Sequence, residues 1–520
     1  MSLRPIHSVQ FYYAVLVISL GLYHWPLLQF ASTELNLGSW VGVQTLVTVL
    51  AVITLLSSVI FVVLLLFSRR LFKLVLGLIA LANAAALYFM VTYQVIIDRT
   101  MVGNVLNTDA SEAGELFHPN LLLYLVLFGL VPALLLWKLP IQKLARLRLA
   151  GHGVLVVALC LGWMAASGST WLWIDKHAKV LGGMILPWGY MANTARFVAA
   201  NNEQNQVQLP LPDLQVQEEG KRLVVLVIGE TARAANFSYY GYERQTTPML
   251  ATTSTVALNN PVACTTYTTG SIRCMLAHAN PEELDAVYEY LPSYLNRHDV
   301  DVIWRTNNWG EPPITVTNYD KASVLREGCK GGDYCQLDDV LLTGLKDRIA
   351  ASSKDKILVV LHQKGSHGPS YNKRFTANES QFMPVCESVN LSECDEQSLV
   401  NAYDNSILHT DQFLYKTIQM LKDLKGTPSA FIYMSDHGES LGEHGLYLHG
   451  TPYSIAPDVQ KQVPMLVWMS PKFKAKKGLQ NQDINWRQEH THSNIFHSVI
   501  GAMGYRKGAY DSQQDIFSIE

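Results

Sequence analysis

Five apolar stretches fall within the first 175 residues, at 11–30, 40–67, 71–97, 120–139 and 152–174. Each is long enough to cross a bilayer, which takes about 20 residues. Buried helices of a large soluble core are the competing explanation. Five nearly uncharged runs so close together make it a poor one. The first run is long and lacks a small-residue cleavage site, so it predicts a retained span rather than a cleaved signal peptide. From residue 223 the pattern changes. Short apolar runs at 223–228, 300–304, 357–362, 430–435 and 463–468 are separated by helical stretches. That alternation predicts an α/β domain with a mainly parallel sheet.

Loop charges orient the spans. Arg69, Arg70 and Lys73 lie between spans two and three, and Lys138, Lys143, Arg146 and Arg148 between four and five. The alternate loops hold Glu34 on one and Asp98, Arg99, Asp109, Glu112 and Glu115 on the other. The positive-inside tendency puts the N-terminus inside and everything after the fifth span outside. The longer outer loop, about 98–119, reads as an amphipathic helix in which Asn104, Thr108 and Glu112 recur every four residues on one face. A solvated face explains that stripe; a polar surface meeting a lipid head group explains it too. Residues 176–200 mix polar and apolar positions, with Trp188 and Tyr190 suited to an interface. The following "NNEQNQVQLPLPDLQVQEEG" is polar and contains prolines, as an extended linker does. The expected domains are therefore a transmembrane part at 1–175, a bridging helix and linker at 176–220, and an extracytoplasmic domain at 221–520.

Composition sharpens this division. Hydrophobic residues make up 49% and charged residues 16%, apolar for a soluble enzyme of 520 residues. The first 176 residues carry ten of the 40 Lys and Arg and six of the 43 Asp and Glu, so the remainder holds seven more acidic than basic groups. A nucleic-acid partner would want a basic face, and none is expected. Six of the seven cysteines, Cys264, Cys274, Cys329, Cys335, Cys386 and Cys394, lie in the outer domain as three close pairs, while Cys160 sits in the fifth span. An oxidising compartment permits disulfides. Several connectivities are open, and pairing between neighbours is the simplest.

The chemistry gathers at strand ends. "SAFIYM" leads into Asp436-His437-Gly438, and "LVVLVIGETAR" ends in Gly229-Glu230-Thr231. In open α/β sheets, sites form at the carboxyl edge of the strands. Glu230, Asp436 and His437 would give a zinc ion three ligands and leave a position open for chemistry. A helix-capping carboxylate is the plain alternative for Glu230. Between Cys264 and Cys274, "CTTYTTGSIRC" offers four threonines and a serine as nucleophiles that a metal could activate. Chemistry alone does not choose among them. His492 and His497 in "THSNIFHS" read as a helix start.

At "GETARAANFSYYGYERQTTP" and "SDHGESLGEHGLYLHG" the chain resembles the lipid-modifying phosphoethanolamine transferases, a membrane-bound branch of the alkaline phosphatase and sulfatase superfamily. "LHQKGSHGPSYNKRF", "SLVNAYDNSILHTD" and the five-span layout fit the same family, so the resemblance covers nearly the whole chain. It implies a five-helix transmembrane domain followed by an alkaline phosphatase-like α/β domain in the periplasm, anchored in a bacterial inner membrane. By the same resemblance Glu230, Asp436 and His437 are zinc ligands, and Thr268 is both nucleophile and fourth ligand. His367 and His449 stand beside the phosphate, as a second metal site or as substrate contacts. Asn104, Thr108 and Glu112 face lipid, and Asn308 in the kept Asn307–Asn308 pair contacts substrate.

The implied reaction moves phosphoethanolamine from phosphatidylethanolamine to a cell-envelope acceptor. That acceptor would be lipopolysaccharide lipid A or core, or another envelope glycan. The route runs through a covalent threonine intermediate, releases diacylglycerol, and needs at least one zinc and no partner chain. One departure stands out: Glu311-Pro312-Pro313 occupies a place where lipid A-modifying members often carry a basic residue. Two other readings use the same chain. One is a phosphoglycerol transferase or an ester hydrolase on the same scaffold; the other is a membrane sensor or scaffold without activity.

Overall fold

A computed structural model describes residues 5–107, 113–114, 117–142, 146–204, 207–485 and 489–518. The chain divides into two compact units, Met1–Ala200 and Asn201–Glu520.

The first unit opens with α1 (Ser8–Tyr23) and α2 (Trp25–Glu34), bent by 63° where they meet. Pro26 lies in the first turn of α2. It cannot donate the backbone hydrogen bond that would continue α1 into α2, and its ring clashes with the carbonyl four residues back. The predicted run at 11–30 is therefore broken at His24. Next come α3 (Trp40–Phe67), α4 (Arg69–Thr92) and a short α5 (Arg99–Asn107) that carries Asn104. Thr108 and Glu112 lie outside the described residues. Helices α6 (Pro119–Lys138) and α7 (Arg146–Ala166) follow. A π-helical segment, Leu125–Leu130, interrupts α6. Among the described residues four helices are long and apolar enough to cross a membrane, and the α1–α2 pair makes five if counted as one span.

The predicted fifth run is shifted. Helix α7 begins six residues earlier and ends at Ala166, where a 3-10 turn, Gly168–Thr170, separates it from α8 (Trp171–Lys176). Helices α9 (Ala178–Met184) and α10 (Trp188–Gln204) complete the unit. Phe11, Tyr12 and Leu16 of α1 pack with Phe61 and Leu65 of α3 and Phe72 and Leu76 of α4. Polar groups in this apolar setting need partners. Trp188 Nε1 donates to Ser57 Oγ at 3.3 Å, and the Tyr190 hydroxyl to Asn83 Oδ1 at 3.1 Å.

The second unit is built on a seven-stranded sheet. Its strands are β1 (Arg222–Gly229), β2 (Val256–Ala257), β3 (Asp301–Thr306), β4 (Asn318–Lys321), β5 (Lys356–His362), β6 (Ser429–Ser435) and β7 (Met465–Met469). Across the sheet they run β2-β7-β6-β1-β5-β3-β4. The pairs from β6 to β4 are parallel, while β7 is antiparallel to both neighbours. The sheet is thus mainly parallel, as its apolar runs predict. The fifth of those runs reverses direction, and the two edge strands are too short to show as runs.

Strand β1 explains the unbroken "LVVLVI". Val224, Leu226 and Ile228 enter one core layer, and Leu223, Val225 and Val227 enter the other. A strand covered on both faces has no polar side to show. The first layer holds Trp304 of β3 with no exposed surface, together with Ile495 and Phe496. Truncating Trp304 to alanine is expected to cost the catalytic unit about 3–5 kcal/mol. A lowered denaturation midpoint by circular dichroism checks this.

Candidate metal centre and active site

Adjacent parallel strands deliver the candidate ligands. Glu230 follows β1, and Asp436 and His437 follow its neighbour β6. All three are fully buried or nearly so. Asp436 is held through one oxygen: Oδ1 accepts from Thr231 N at 3.1 Å and from His437 N at 2.7 Å. Its Oδ2 has no hydrogen-bond partner among the described residues and lies 3.1 Å from His437 Nε2. His437 Nδ1 donates to the Gly438 carbonyl at 2.9 Å, which leaves Nε2 with its lone pair toward Glu230 Oε1, 3.5 Å away. Only glycine fits at 438, because a Cβ there would lie 1.9 Å from the Val459 carbonyl oxygen.

Thr268 is the first residue of α11 (Thr268–Leu276). Its Oγ1 lies 3.3 Å from His437 Nε2 and 3.5 and 3.4 Å from the two Glu230 oxygens. Three neighbouring hydroxyls are engaged elsewhere. Thr266 donates to the Thr451 carbonyl at 2.7 Å, Thr265 to the Tyr267 carbonyl at 2.9 Å, and Ser271 lies 2.8 Å from Thr265 Oγ1. The disulfide Cys264–Cys274 closes this loop, and Cys329–Cys335 and Cys386–Cys394 are joined as well. Cys160 is free and buried.

Burial sets the electrostatics. Desolvation first, and then the Asp436 carboxylate, push Glu230 well above its ordinary carboxyl range. Burial pulls His437 down to about 4, so the ring is neutral, the form in which imidazole binds a metal. Two enclosed carboxylates beside a neutral imidazole ask for a cation, since buried like charges cannot both ionise uncompensated. The oxygen of Asp436 left without a donor fits the same demand. A divalent metal suits this donor set of carboxylates, hydroxyl and imidazole.

His449 and His367 extend the site. The His437 and His449 rings are 4.2 Å apart by centroid, and the His449 and His367 rings 5.5 Å. Glu230, His437 and His449 can each offer a ligand atom within 4.8 Å of the others. His367 is pushed well below its ordinary value, by burial first and then by the His449 ring. Asn308 spends its amide on Glu230 Oε2 at 2.6 Å and on the Gln363 carbonyl at 3.0 Å. Beyond it the loop passes close over Thr268. Gly310 has φ +105°, and a Cβ there would sit 3.4 Å from Thr268 Cγ2. Glu311 accepts from the Tyr319 hydroxyl and lies 3.8 Å from His362 Nδ1.

Two contributors escape sequence reasoning. Glu439 is fully buried, and its Oε1 lies 3.1 Å from His449 Nδ1. Its signal was an acid directly after Asp-His-Gly. Asp338 accepts from Lys364 N, Gly365 N and Asn307 Nδ2 at 2.8, 2.9 and 2.9 Å, and so fixes the turn before His367. Nothing in its loop marks it. His492 bridges two parts of the site wall: Nε2 lies 3.0 Å from the Ser435 carbonyl, and Nδ1 accepts from Cys264 N at 3.3 Å. His409 belongs elsewhere, between Glu379 and Asp339.

Comparison with known proteins agrees with this geometry. The family model described as sulfatase matches residues 222–505, and that of phosphoethanolamine transferase EptA/EptB matches residues 46–201. The phosphoethanolamine transferase EptA of Helicobacter pylori is 36% identical over 503 residues, 96% of this chain and 94% of that protein. The phosphatidylethanolamine transferase Mcr-1 of Escherichia coli is 34% identical, with 81% and 80% covered. The solved structure of the integral membrane lipooligosaccharide phosphoethanolamine transferase A of Neisseria meningitidis superposes with a TM-score of 0.86 at 28% identity, covering 98% of this chain and 99% of that one. The chain belongs to the phosphoethanolamine transferase family of the alkaline phosphatase and sulfatase superfamily, as an inner-membrane enzyme with a periplasmic catalytic domain.

Proposed function

We propose that the chain transfers phosphoethanolamine from phosphatidylethanolamine to lipid A by way of a covalent adduct on Thr268. The observation that carries this reading is the place of Thr268 Oγ1, within 3.5 Å of both Glu230 oxygens and His437 Nε2 at a buried strand edge. Lipid A as acceptor is drawn from one kind of relative, the Kdo(2)-lipid A phosphoethanolamine 7''-transferase, whose Escherichia coli member is 27% identical over 92% of this chain. A zinc ion held by Glu230, Thr268, Asp436 and His437 supplies a lowered hydroxyl pKa and Lewis acidity toward phosphoryl oxygens.

The residues of the chain divide the remaining work. Thr268 Oγ forms a bond to phosphorus while the bond from phosphorus to the diacylglycerol oxygen breaks. The position of Thr268 at a helix N-terminus favours the anionic phosphate beside it. The proton that Thr268 gives up passes through the His449 and His367 pair to the departing glycerol oxygen, so diacylglycerol leaves as an alcohol and the rings end neutral as they began. In the second step an acceptor oxygen attacks phosphorus from the vacated side. The bond to Thr268 breaks, and the acceptor's proton returns to the threonine through the same histidines. Glu439 orients His449 for both steps.

Asn308 acts by holding Glu230. Replacing it with leucine is expected to weaken zinc affinity or activity about 10–100-fold, as loss of an outer-shell partner does. Zinc titration into metal-free protein measures this. The acceptor is tested in vesicles of phosphatidylethanolamine with Kdo2-lipid A or an envelope glucan added. Mass spectrometry should find phosphoethanolamine on lipid A phosphate. Modified glucan with unmodified lipid A would contradict the proposed acceptor.

A further inference from the structure

The active site is rich in carboxylates and poor in cations. Glu230, Asp436 and Glu439 are buried within it, and burial leaves the rings of His437 and His367 neutral. The loop that passes over Thr268, residues 307–314, carries one charged side chain, Glu311. Two positive charges act on His367 from nearby, those of Arg374 and Lys364. Arg374 is buried, and its Nε donates to the His367 carbonyl at 2.9 Å. Lys364 differs. It is partly exposed, and among the described residues its ammonium meets no carboxylate and no hydrogen-bond acceptor.

The backbone around Lys364 is held on every side, so its stem starts from a defined point at the rim of the metal centre. Its N donates to Asp338 Oδ1 at 2.8 Å, and its carbonyl accepts from His367 N at 3.3 Å. The Gln363 carbonyl before it accepts from Asn308 Nδ2 at 3.0 Å, the same amide that holds Glu230. Gly365 after it lies against Glu230. Its φ is +51°, and a Cβ there would come within 2.6 Å of the Glu230 carbonyl oxygen. Lys364 thus stands between Asn308 and His367, one residue from the backbone contact with Glu230. A lysine head is a compact charge on a flexible stem, suited to phosphate. In the second step of transfer the acceptor oxygen enters on the vacated side, where His449 and His367 handle its proton. A phosphate acceptor brings its own negative charge up to an anionic adduct, and that approach needs a cation. We propose that the Lys364 ammonium binds the acceptor's phosphate beside His367, and so favours phosphate over hydroxyl acceptors. This role rests on the transfer reading.

The test uses the full-length, zinc-loaded protein, and its first arm needs no turnover. In phosphatidylcholine vesicles without donor, an acetylating N-hydroxysuccinimide ester modifies Lys364 at a rate read by peptide mass spectrometry. That rate should fall severalfold when Kdo2-lipid A is added and stay unchanged with dephosphorylated lipid A. Protection by both forms alike, or by neither, would overturn the site. The second arm supplies phosphatidylethanolamine. Lys364→Met keeps the stem and removes the charge. It should lower kcat/KM for Kdo2-lipid A by about 10–100-fold, the worth of one hydrogen bond to a charged group. Adduct formation on Thr268 without acceptor should change far less, and Lys364→Arg should restore most of the rate. Equal losses in both steps, a loss confined to the first, or an unchanged rate on lipid A would each overturn the proposal. If wild type forms no adduct, the transfer reading fails instead, and the protection arm still decides whether Lys364 binds phosphate.

Discussion

Thr268→Ala is expected to lower phosphoethanolamine transfer by roughly 10³–10⁶-fold, the range seen when a covalent nucleophile is removed. The change deletes the only hydroxyl of its loop that lies against both Glu230 and His437 among the described residues. Thr265, Thr266 and Ser271 cannot substitute, since their hydroxyls are bound to one another or to backbone carbonyls. The helix that starts at 268 and the Cys264–Cys274 disulfide remain, so the thermal midpoint should move little. Thr268→Ser keeps the oxygen and loses one methyl, and should retain measurable turnover. Rates of lipid A modification with the three proteins check the order wild type, serine, alanine. Equal rates for alanine and wild type would remove Thr268 from the mechanism.

Asp436→Asn should release the metal and with it the activity. An asparagine oxygen can still accept from Thr231 N and His437 N as Oδ1 does, so the strand end keeps its shape. The other position then presents an amide donor where Oδ2 now offers an unpaired, fully buried oxygen. We expect bound zinc in the purified variant to fall well below one per chain, and transfer to drop by more than about 100-fold, beyond the cost of losing an outer-shell partner. Elemental analysis beside a rate measurement reads both. A variant that keeps full zinc and full rate would place the metal elsewhere, with His449 beside Glu230 and His437 as the next set to examine.

How much of this could be read in advance depends on the physics behind each residue. Glu230, Asp436 and His437 were legible because each follows an apolar run long enough to be a buried strand, and strand ends in such sheets carry sites. The threonine was not legible from chemistry, because five hydroxyls share one loop and only the folded backbone turns Thr268 inward. Glu439 and Asp338 were silent for another reason. They act on His449 and on the turn before His367, and a residue that works through another leaves no spacing of its own. In the membrane unit, hydropathy finds apolar length but not continuity. It missed the bend at His24 and the end of α7 at Ala166, which depend on one proline and on a glycine-containing turn. Strand direction is likewise invisible, and β7 reads no differently from its parallel neighbours.

The central claim is a covalent route through Thr268, and one measurement addresses it directly. The protein is incubated with phosphatidylethanolamine and no acceptor, then analysed intact and as peptides by mass spectrometry, wild type beside Thr268→Ala. The account predicts a phosphoethanolamine adduct on the disulfide-closed peptide from Cys264 to Cys274, placed on Thr268 and absent from the variant. Zinc-loaded wild type that releases diacylglycerol but carries no adduct would contradict it and point to direct hydrolysis.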